Sequence, residues 1–153
     1  METTNRKPGK KTVKVDVIGG VPPPVMSLML AGWQELVAAG HWTQGSGLLF
    51  NYDQQVFWIE VDEVPASVLV IELHHHVKRA WVSLGYTAPE HRRQGLYRLL
   101  DQQARAGALE KGMYSIAGGH SSANTVMLEV SKKLGRYERT VITARELPKM
   151  EGR

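Results

Sequence analysis

Two kinds of hydrophobic spacing divide the chain into segments that predict strands and helices. Alternating or continuous runs of β-branched and aromatic residues are typical of strands. Apolar residues that recur every three or four positions are typical of helices that bury one face. The pattern predicts strands at 12–18, 55–61, 67–74, 77–86, 113–117 and 139–147, and helices at 25–39, 95–111 and 123–134.

The order of these elements indicates the class of fold. Three consecutive strands with short turns between them predict an antiparallel meander. The strand, helix and strand between residues 77 and 117 predict a βαβ crossover that joins two parallel neighbours. We therefore expect an α/β or α+β protein built on one mixed central sheet.

The predicted helices bury one stripe each and end at a glycine. Gly40, Gly112 and Gly135 follow the three helices, as glycines after helix C-termini commonly do. Ser121 or Ser122 can cap the start of the last helix. The expected core positions are Leu28, Ala31, Leu36 and Ala39, then Leu96, Leu100, Ala104 and Ala108, then Val126, Val130 and Leu134.

Composition narrows the class further. The chain has 153 residues, of which 42% are hydrophobic and 22% charged, so a single soluble domain over 12–150 is expected. It has no cysteine, which excludes disulfide scaffolds, thiolate metal sites and cysteine nucleophiles. No apolar run is long enough to span a membrane, and the N-terminus lacks the apolar core of a signal peptide. We expect a cytoplasmic protein.

The charge is unevenly distributed. The first 14 residues carry five basic residues and one acidic residue, which accounts for the whole net charge of +4. We interpret residues 1–11 as a disordered basic tail, and the neutral body argues against nucleic acid as a partner. Within the body, residues 50–75 are acidic and residues 76–111 are mainly basic. This polarity suggests a cationic substrate on one side of a site and an anionic ligand on the other.

The segment between the fourth strand and the second helix carries the clearest chemistry. It reads Thr87-Ala88-Pro89-Glu90-His91-Arg92-Arg93-Gln94-Gly95-Leu96-Tyr97. A helix N-terminus presents unpaired N–H groups and a partial positive charge, which suit a phosphate. Gly95 leaves room for the ligand to approach the backbone, and Arg92 and Arg93 add cationic donors. The segment predicts a cofactor that contains a diphosphate.

These residues resemble the acetyl-CoA-binding motif of the GCN5-related N-acetyltransferases, Gln/Arg-x-x-Gly-x-Gly/Ala. Arg92 and Gly95 match it, whereas Tyr97 stands where a small residue is usual. A second patch, 124–136, resembles the family pattern Asn-x-x-Ala-x-x-Leu-Tyr-x-x-Leu-Gly-Phe at Asn124, Leu134 and Gly135. The element order agrees over residues 12–147. The resemblance implies a mixed, mostly antiparallel sheet with a parallel βαβ crossover and helices on both faces.

The resemblance also implies a set of cofactor-binding residues, with acetyl-CoA as cosubstrate. Arg92 and the amides of the loop would hold the pyrophosphate. The edge of strand 82–87 would pair with the pantetheine arm, and Asn124 would hydrogen-bond to that arm. The expected set is Leu84, Tyr86, Thr87, Arg92, Arg93, Gln94, Gly95, Leu96, Tyr97 and Asn124.

The chain departs from the second family pattern at three positions. Met127 replaces the usual alanine, Arg136 replaces the phenylalanine, and Ser131 replaces the tyrosine that protonates the departing thiolate in many members. A thiol has a pKa of about 8.5, so its thiolate leaves tolerably well near neutral pH. Ser131, Tyr97, Tyr137 and a water molecule stay open as donors to the leaving group.

An amine acceptor needs help to lose its proton. A lysine-like amine with a pKa of about 10.4 is mostly charged near neutral pH, so a base or a desolvating pocket is required. The candidates are Glu72, His74, His76 and His120. A backbone N–H near Leu84 or Gly85 would meet the carbonyl oxyanion.

Two further groups of residues bear on ligands. Three consecutive histidines, 74–76, cannot all face one metal ion from a strand because neighbouring side chains point to opposite faces, so we expect no metal. Trp42, in the loop at 40–47, is a candidate for the wall of an acceptor pocket.

The sequence therefore favours an enzyme that transfers an acetyl group from acetyl-CoA to a primary amine by direct attack in a ternary complex. The alternative is a catalytically silent module on the same fold, which binds CoA, a protein or a nucleic acid. The acceptor would be a small molecule or a protein amine. We expect no membrane partner, and a homodimer stays open.

Overall fold

The computed structural model describes residues 9–41, 53–119 and 124–136. Within these ranges, the bounds of the helices and strands lie close to those expected from the sequence. The elements are β1 Lys11–Val17, α1 Pro23–Ala38, β2 Gln54–Val61, β3 Val64–His74, β4 Arg79–Thr87, α2 Leu96–Glu110, β5 Ser115–Gly118 and α3 Thr125–Lys133. The strand expected at 139–147 and residues 1–8 of the expected tail lie outside the described residues.

The described strands form one sheet whose spatial order follows the chain, β1-β2-β3-β4-β5. β1, β2, β3 and β4 pair antiparallel, and β4 pairs parallel with β5. The mixed sheet, the meander and the crossover through α2 are thereby confirmed. Asp62 and Glu63 join β2 to β3 with φ angles of 50° and 67°, as tight hairpin turns require.

Alternate side chains of β2 and β3 face two separate cores. Phe57, Ile59, Leu69 and Ile71 pack with α2 on one face. The intervening Val56, Trp58, Val68 and Val70 pack with α1 on the other. Strands buried on both faces read as nearly continuous apolar runs because no position faces water. The helices α1 and α2 therefore lie on opposite faces of the sheet, as expected.

The helix stripes agree with the sequence for α2 and differ for the other two helices. Leu96, Leu100, Ala104 and Ala108 are all buried, which confirms the α2 stripe. In α1 the buried residues are instead Val25, Met29 and Gly32. This helix is apolar on most of its surface, so spacing did not identify its buried face. In α3 Val126 is 71% exposed, whereas Ser131 is buried.

Two residues that we expected to belong to the tail make contacts with the sheet. The backbone N–H of Lys10 donates to the Asp62 carboxylate at 3.0 Å. Lys11 pairs with Val61 as the first residue of β1. The first strand therefore begins one residue before Thr12.

Candidate functional site

Strands β4 and β5 pair over four residues and then separate. The last pair is Val82 with Gly118, at the C-terminal end of β5. β4 continues for five more residues to Thr87, still paired with β3 on its other side. Its free edge therefore presents backbone N–H and C=O groups that have no strand partner in the described part of the chain. An extended ligand can add to such an edge as a further strand.

A β-bulge lies at the point where the strands separate. Val70 pairs with Leu84 and Ile71 pairs with Val82, so Ser83 is an extra residue in β4. The bulge reverses the alternation of the strand. Val82 faces the α2 side, and Leu84, two residues later, faces the α1 side. A bulged residue is left unpaired in the ladder. A backbone N–H beside it can therefore bind the carbonyl oxygen of a ligand.

The loop after β4 is shaped by two left-handed residues. Arg93 has a φ angle of 62° and Gly95, the residue before α2, has a φ angle of 74°. A positive φ is strained for arginine and costs little for glycine. Left-handed residues in a tight turn bring successive N–H groups to one side, which makes an anion site of the backbone. Gly95 thereby joins the loop to the positively polarised start of α2.

A cavity of about 290 Å³ opens beside this loop, between the N-terminus of α2 and the second half of α3. Its wall includes the cationic side chains Arg92, Arg93, Arg98 and Lys133 beside the imidazole of His91. The sequence predicted His91, Arg92 and Arg93 as part of the loop but gave no reason to select Arg98 or Lys133. Arg98 is on α2 and Lys133 is in the last turn of α3, so only the packing of the two helices brings them together.

Arg92 makes a second set of contacts, towards α1. Its Nη2 donates to both carboxylate oxygens of Glu35 at 2.7 and 2.9 Å, and its Nε donates to the carbonyl oxygen of Thr87 at 3.0 Å. The guanidinium lies 5.6 Å from the centre of the Tyr86 ring. Arg92 therefore joins the loop before α2 to α1, the helix on the other face of the sheet.

The same cluster includes the hydroxyl of Tyr86, which donates to Glu35 at 2.9 Å. Burial alone would raise the pKa of Glu35, but the hydrogen bonds from Arg92 and Tyr86 and the charge of Arg92 hold it below its ordinary value. Burial, followed by the bond to Glu35, raises the pKa of Tyr86. Glu35 is thus a carboxylate and Tyr86 a neutral phenol at neutral pH.

Tyr97 occupies the space above Gly85. A Cβ at Gly85 would overlap the Tyr97 ring and lie 3.0 Å from its hydroxyl oxygen. Burial raises the pKa of Tyr97, and the charge of Arg136 opposes that rise. The hydroxyl oxygen is buried and makes no hydrogen bond of normal geometry with the described residues. Tyr97 thus brings an unused donor to the free edge of β4.

A buried ion pair lies beside Tyr97 and joins α2 to the end of α3. Arg136 Nη2 donates to Asp101, whose side chain is 1% exposed, and Arg105 Nε lies 3.0 Å from the other carboxylate oxygen. Arg136 Nη1 is buried and makes no hydrogen bond with the described residues. It lies 3.9 Å from where a Cβ of Gly118 would be.

Comparison with known proteins was made at the levels of sequence and structure. No protein-family model matches the sequence, and no curated protein matches it. Solved structures do match. The aminoglycoside N-acetyltransferase AAC(6')-Iy in complex with CoA is 18% identical, with a TM-score of 0.71 over 92% of this chain and 97% of its own.

Two further solved structures match this chain over a similar length. The aminoglycoside acetyltransferase meta-AAC0020, from an uncultured soil metagenomic sample, is 10% identical, with a TM-score of 0.69 over 90% of this chain and 97% of its own. The ribosomal-protein-alanine N-acetyltransferase from Brucella melitensis biovar Abortus 2308 is 12% identical, with a TM-score of 0.67 over 90% and 100%. The fold is that of the GCN5-related N-acetyltransferases. The resemblance seen in the sequence is confirmed at the level of this fold.

On the GCN5-related fold, six of the residues expected to bind the cofactor line the cavity, and they are Thr87, Arg92, Arg93, Gly95, Leu96 and Tyr97. The free edge of β4 carries Leu84, Tyr86 and Thr87, and the loop carries Arg92 to Gly95. Asn124 precedes α3 and accepts a hydrogen bond from the Met127 N–H at 3.2 Å, so its side-chain oxygen serves as a helix cap. The basic cavity, the left-handed loop and the free strand edge suit a diphosphate followed by an extended arm.

The expected catalytic side chains are less concentrated. Glu72 and His74 lie opposite Trp81 and Arg79, in the part of β4 that also pairs with β5. Glu72 Oε2 is 3.1 Å from His74 Nε2, and its other oxygen accepts from Gln54 at 3.2 Å. Ser131 is buried in α3. His120, Trp42 and Tyr137 lie outside the described residues.

Two features expected from the sequence concern metals and membranes. In the described ranges, no group of three or more His, Asp or Glu side chains is arranged to hold a metal ion. His74 and His76 instead stack, with ring centroids 6.2 Å apart. None of the helices within residues 9–41, 53–119 and 124–136 has the length and apolar character that a membrane span requires.

Proposed function

We propose that this protein is an N-acetyltransferase that transfers an acetyl group from acetyl-CoA to a primary amine by direct attack in a ternary complex. One observation carries the proposal. A basic, left-handed loop at the start of α2 lies at the same end of β4 as the strand edge left free beyond the Val82–Gly118 pair. The first feature suits a diphosphate and the second suits an extended amide-containing arm.

The solved neighbours support the same chemistry. All three that were described are acetyltransferases, and AAC(6')-Iy was crystallised with CoA. Their sequences are at most 18% identical to this chain. They establish the fold, and the activity is our proposal. The residues of this chain fit the cosubstrate because the loop supplies both cationic side chains and backbone N–H groups.

The role of the chain in catalysis would be to position and polarise the thioester. The arm pairs with the free edge of β4, which brings the thioester carbonyl to the Ser83 bulge. A backbone N–H of Leu84 or Gly85 stabilises the negative charge on the carbonyl oxygen as the amine attacks. The carbon–sulfur bond then breaks, and its electron pair stays on sulfur.

The proposed acceptor is a cationic amine. The neighbours named above include two aminoglycoside acetyltransferases. An aminoglycoside carries several amines. In this chain Glu35 is a half-exposed carboxylate on the α1 side of the free β4 edge, with a side-chain exposure of 45%. Its charge is balanced by Arg92, so the cationic preference rests on the acidic run at 50–75, which holds no Lys or Arg.

A second candidate function is CoA binding without catalysis. Two placements favour it. Ser131 stands at the position of the usual tyrosine, and Glu72 and His74 bond to each other beside the paired part of β4. Neither Glu72 nor His74 therefore lies along the free edge of β4. A measurement of turnover separates this candidate from the first.

The experiment has two steps. Isothermal titration with CoA and with acetyl-CoA measures cosubstrate binding, for which we expect a dissociation constant in the micromolar range. Release of free thiol from acetyl-CoA is then followed with a panel of aminoglycosides, polyamines and peptides with free N-termini. Binding without thiol release from any acceptor would favour the second candidate, and absence of binding at millimolar acetyl-CoA would overturn both.

A further inference from the structure

Two buried hydrogen-bond donors near the separation of β4 and β5 make no hydrogen bond of normal geometry with the described residues, although Arg136 lies close enough to Tyr97 to lower its pKa. They are the Tyr97 hydroxyl and Arg136 Nη1. Buried polar groups normally have partners, and those that lack one in the protein often serve a ligand. Tyr97 comes from α2 and Arg136 follows α3, and the charge of Arg136 acts on the Tyr97 hydroxyl.

The position of each donor is fixed by a glycine. The Tyr97 ring rests on Gly85, in the free part of β4, and Arg136 Nη1 lies near Gly118, the last residue of β5 paired with β4. One donor therefore lies beside the free edge of β4 and the other beside the end of β5. A ligand atom in the gap between the two strands would lie near both.

The charge of the cluster indicates what kind of atom it would bind. Asp101 is the carboxylate that pairs with Arg136, and it also pairs with Arg105. Two guanidinium groups thus share one carboxylate, which leaves the cluster with one positive charge. Tyr97 adds a neutral donor. Buried donors with a net positive charge stabilise an anion better than they stabilise a neutral acceptor.

Acyl transfer places negative charge first on the carbonyl oxygen, where a backbone N–H would meet it, and then on the sulfur of the departing CoA. We propose that Tyr97 and Arg136 stabilise the CoA thiolate. This inference rests on the proposed function. The amine nitrogen bonds to the carbonyl carbon, the carbon–sulfur bond breaks, and the electron pair remains on sulfur beside the two donors. The acceptor releases its proton to solvent, and the thiolate takes a proton from solvent when CoA leaves.

The test measures the ionisation of bound CoA, which does not depend on turnover. The ultraviolet absorbance of the thiolate is followed against pH in the binary complex of protein and CoA. We expect the bound thiol to ionise below the value of about 8.5 that is ordinary for thiols. Tyr97→Phe removes the hydroxyl and keeps the ring on Gly85, and we expect it to raise the thiol pKa by about one unit.

Two further variants make the measurement specific. Arg136→Lys keeps a positive charge for Asp101 and removes Nη1, so it should also raise the thiol pKa. Tyr114→Phe removes a hydroxyl from a side chain that is 85% exposed, and it should leave the thiol unchanged. Far-ultraviolet circular dichroism checks that each variant is folded.

The outcomes separate the inference from the proposed function. A thiol that ionises at its ordinary value in the unaltered protein, or that is insensitive to Tyr97→Phe, would overturn the inference while CoA binding still supports the proposed function. An unaltered protein that does not bind CoA would overturn both.

Discussion

The aromatic ring of Tyr97 covers Gly85, a strand position that has no side chain. The contact joins the free edge of β4 to the first turn of α2. It explains how a tyrosine is accommodated where the motif that the sequence resembles has a small residue, since the missing side chain is on the strand instead. The pair sets the distance between the strand edge and the loop before α2.

Replacement of Gly85 with alanine is expected to destabilise the fold, because the new Cβ overlaps the Tyr97 ring. Overpacking of this kind costs about 1–3 kcal/mol in the free energy of unfolding. Urea denaturation measures it. The control is Gly19→Ala, where no atom lies within 4 Å of the new Cβ. The same Gly85 substitution in a Tyr97→Ala background should cost far less. An equal cost in both backgrounds would mean that the ring is not the obstacle.

The backbone of the loop is tested by Gly95→Ala against Gly40→Ala. Both glycines have φ angles near 75° and open space where a Cβ would go. Each substitution should therefore cost about 1 kcal/mol in the free energy of unfolding. Gly95→Ala should also weaken CoA binding by about tenfold, since the loop amides would turn away from the phosphates. Isothermal titration compares the two variants, and equal CoA affinities would remove Gly95 from the site.

Lys133 is expected to contribute to CoA binding through its charge on the cavity wall. Lys133→Ala should weaken CoA binding by about three- to tenfold, with a smaller effect at high salt because the cavity is open to solvent. Lys111→Ala is the matched control. This exposed lysine follows the far end of α2, about 20 Å from its N-terminus. If both variants bind CoA alike, the cavity is not the diphosphate site.

Glu35 predicts a pH dependence of stability. Burial acts against ionisation, but the bonds from Arg92 and Tyr86 hold the folded pKa of Glu35 below its ordinary value of 4.5. Its stabilising effect is therefore complete above the ordinary pKa and is lost as the pH falls through the lower, folded value. The side chain is 45% exposed, so solvent screening limits the effect to less than about 1 kcal/mol.

Glu35→Gln should reduce stability at pH 7 and flatten its decline in acid. Thermal unfolding measured from pH 7 to pH 3 gives both quantities. Glu129→Gln serves as the control, since its partner Lys132 lies on the same exposed face of α3 at 3.4 Å. A decline in acid that is the same in wild type and in Glu35→Gln would contradict the assignment of the depressed pKa to Glu35.

Local pattern was enough to predict β1 to β5 and α2. The buried residues of α2 are apolar except Asp101, so the helical period stands out. It was not enough for α1, where Met26, Leu28 and Leu30 surround the buried residues and the spacing does not favour one face. Nor does any residue type mark the Ser83 bulge, because an extra residue in a strand is defined by its partner strand.

The candidate site was also predicted only in part from the sequence. Arg93 and Gly95 could be placed in a phosphate-binding loop because the loop and the helix start are adjacent in sequence. The partner of Arg92, Glu35, lies 57 positions away, and no spacing rule connects them. Arg136 appeared in the sequence only as a departure from a family pattern. Its buried pairing with Asp101 depends on how α3 packs on α2.

The extra residue at Ser83 also limits which insertions and deletions β4 can accept. Loss of one residue there would restore an unbroken ladder with β3 and make the strand more regular. Val82 and Leu84 already face opposite sides, so they would become neighbours that alternate normally, and both cores would keep their residues. Loss of Gly85 would instead carry Tyr86 and every later side chain of the strand to the opposite face. Ser83 is therefore a position at which β4 can lose a residue without exchanging its two faces, although the bulge itself would be lost.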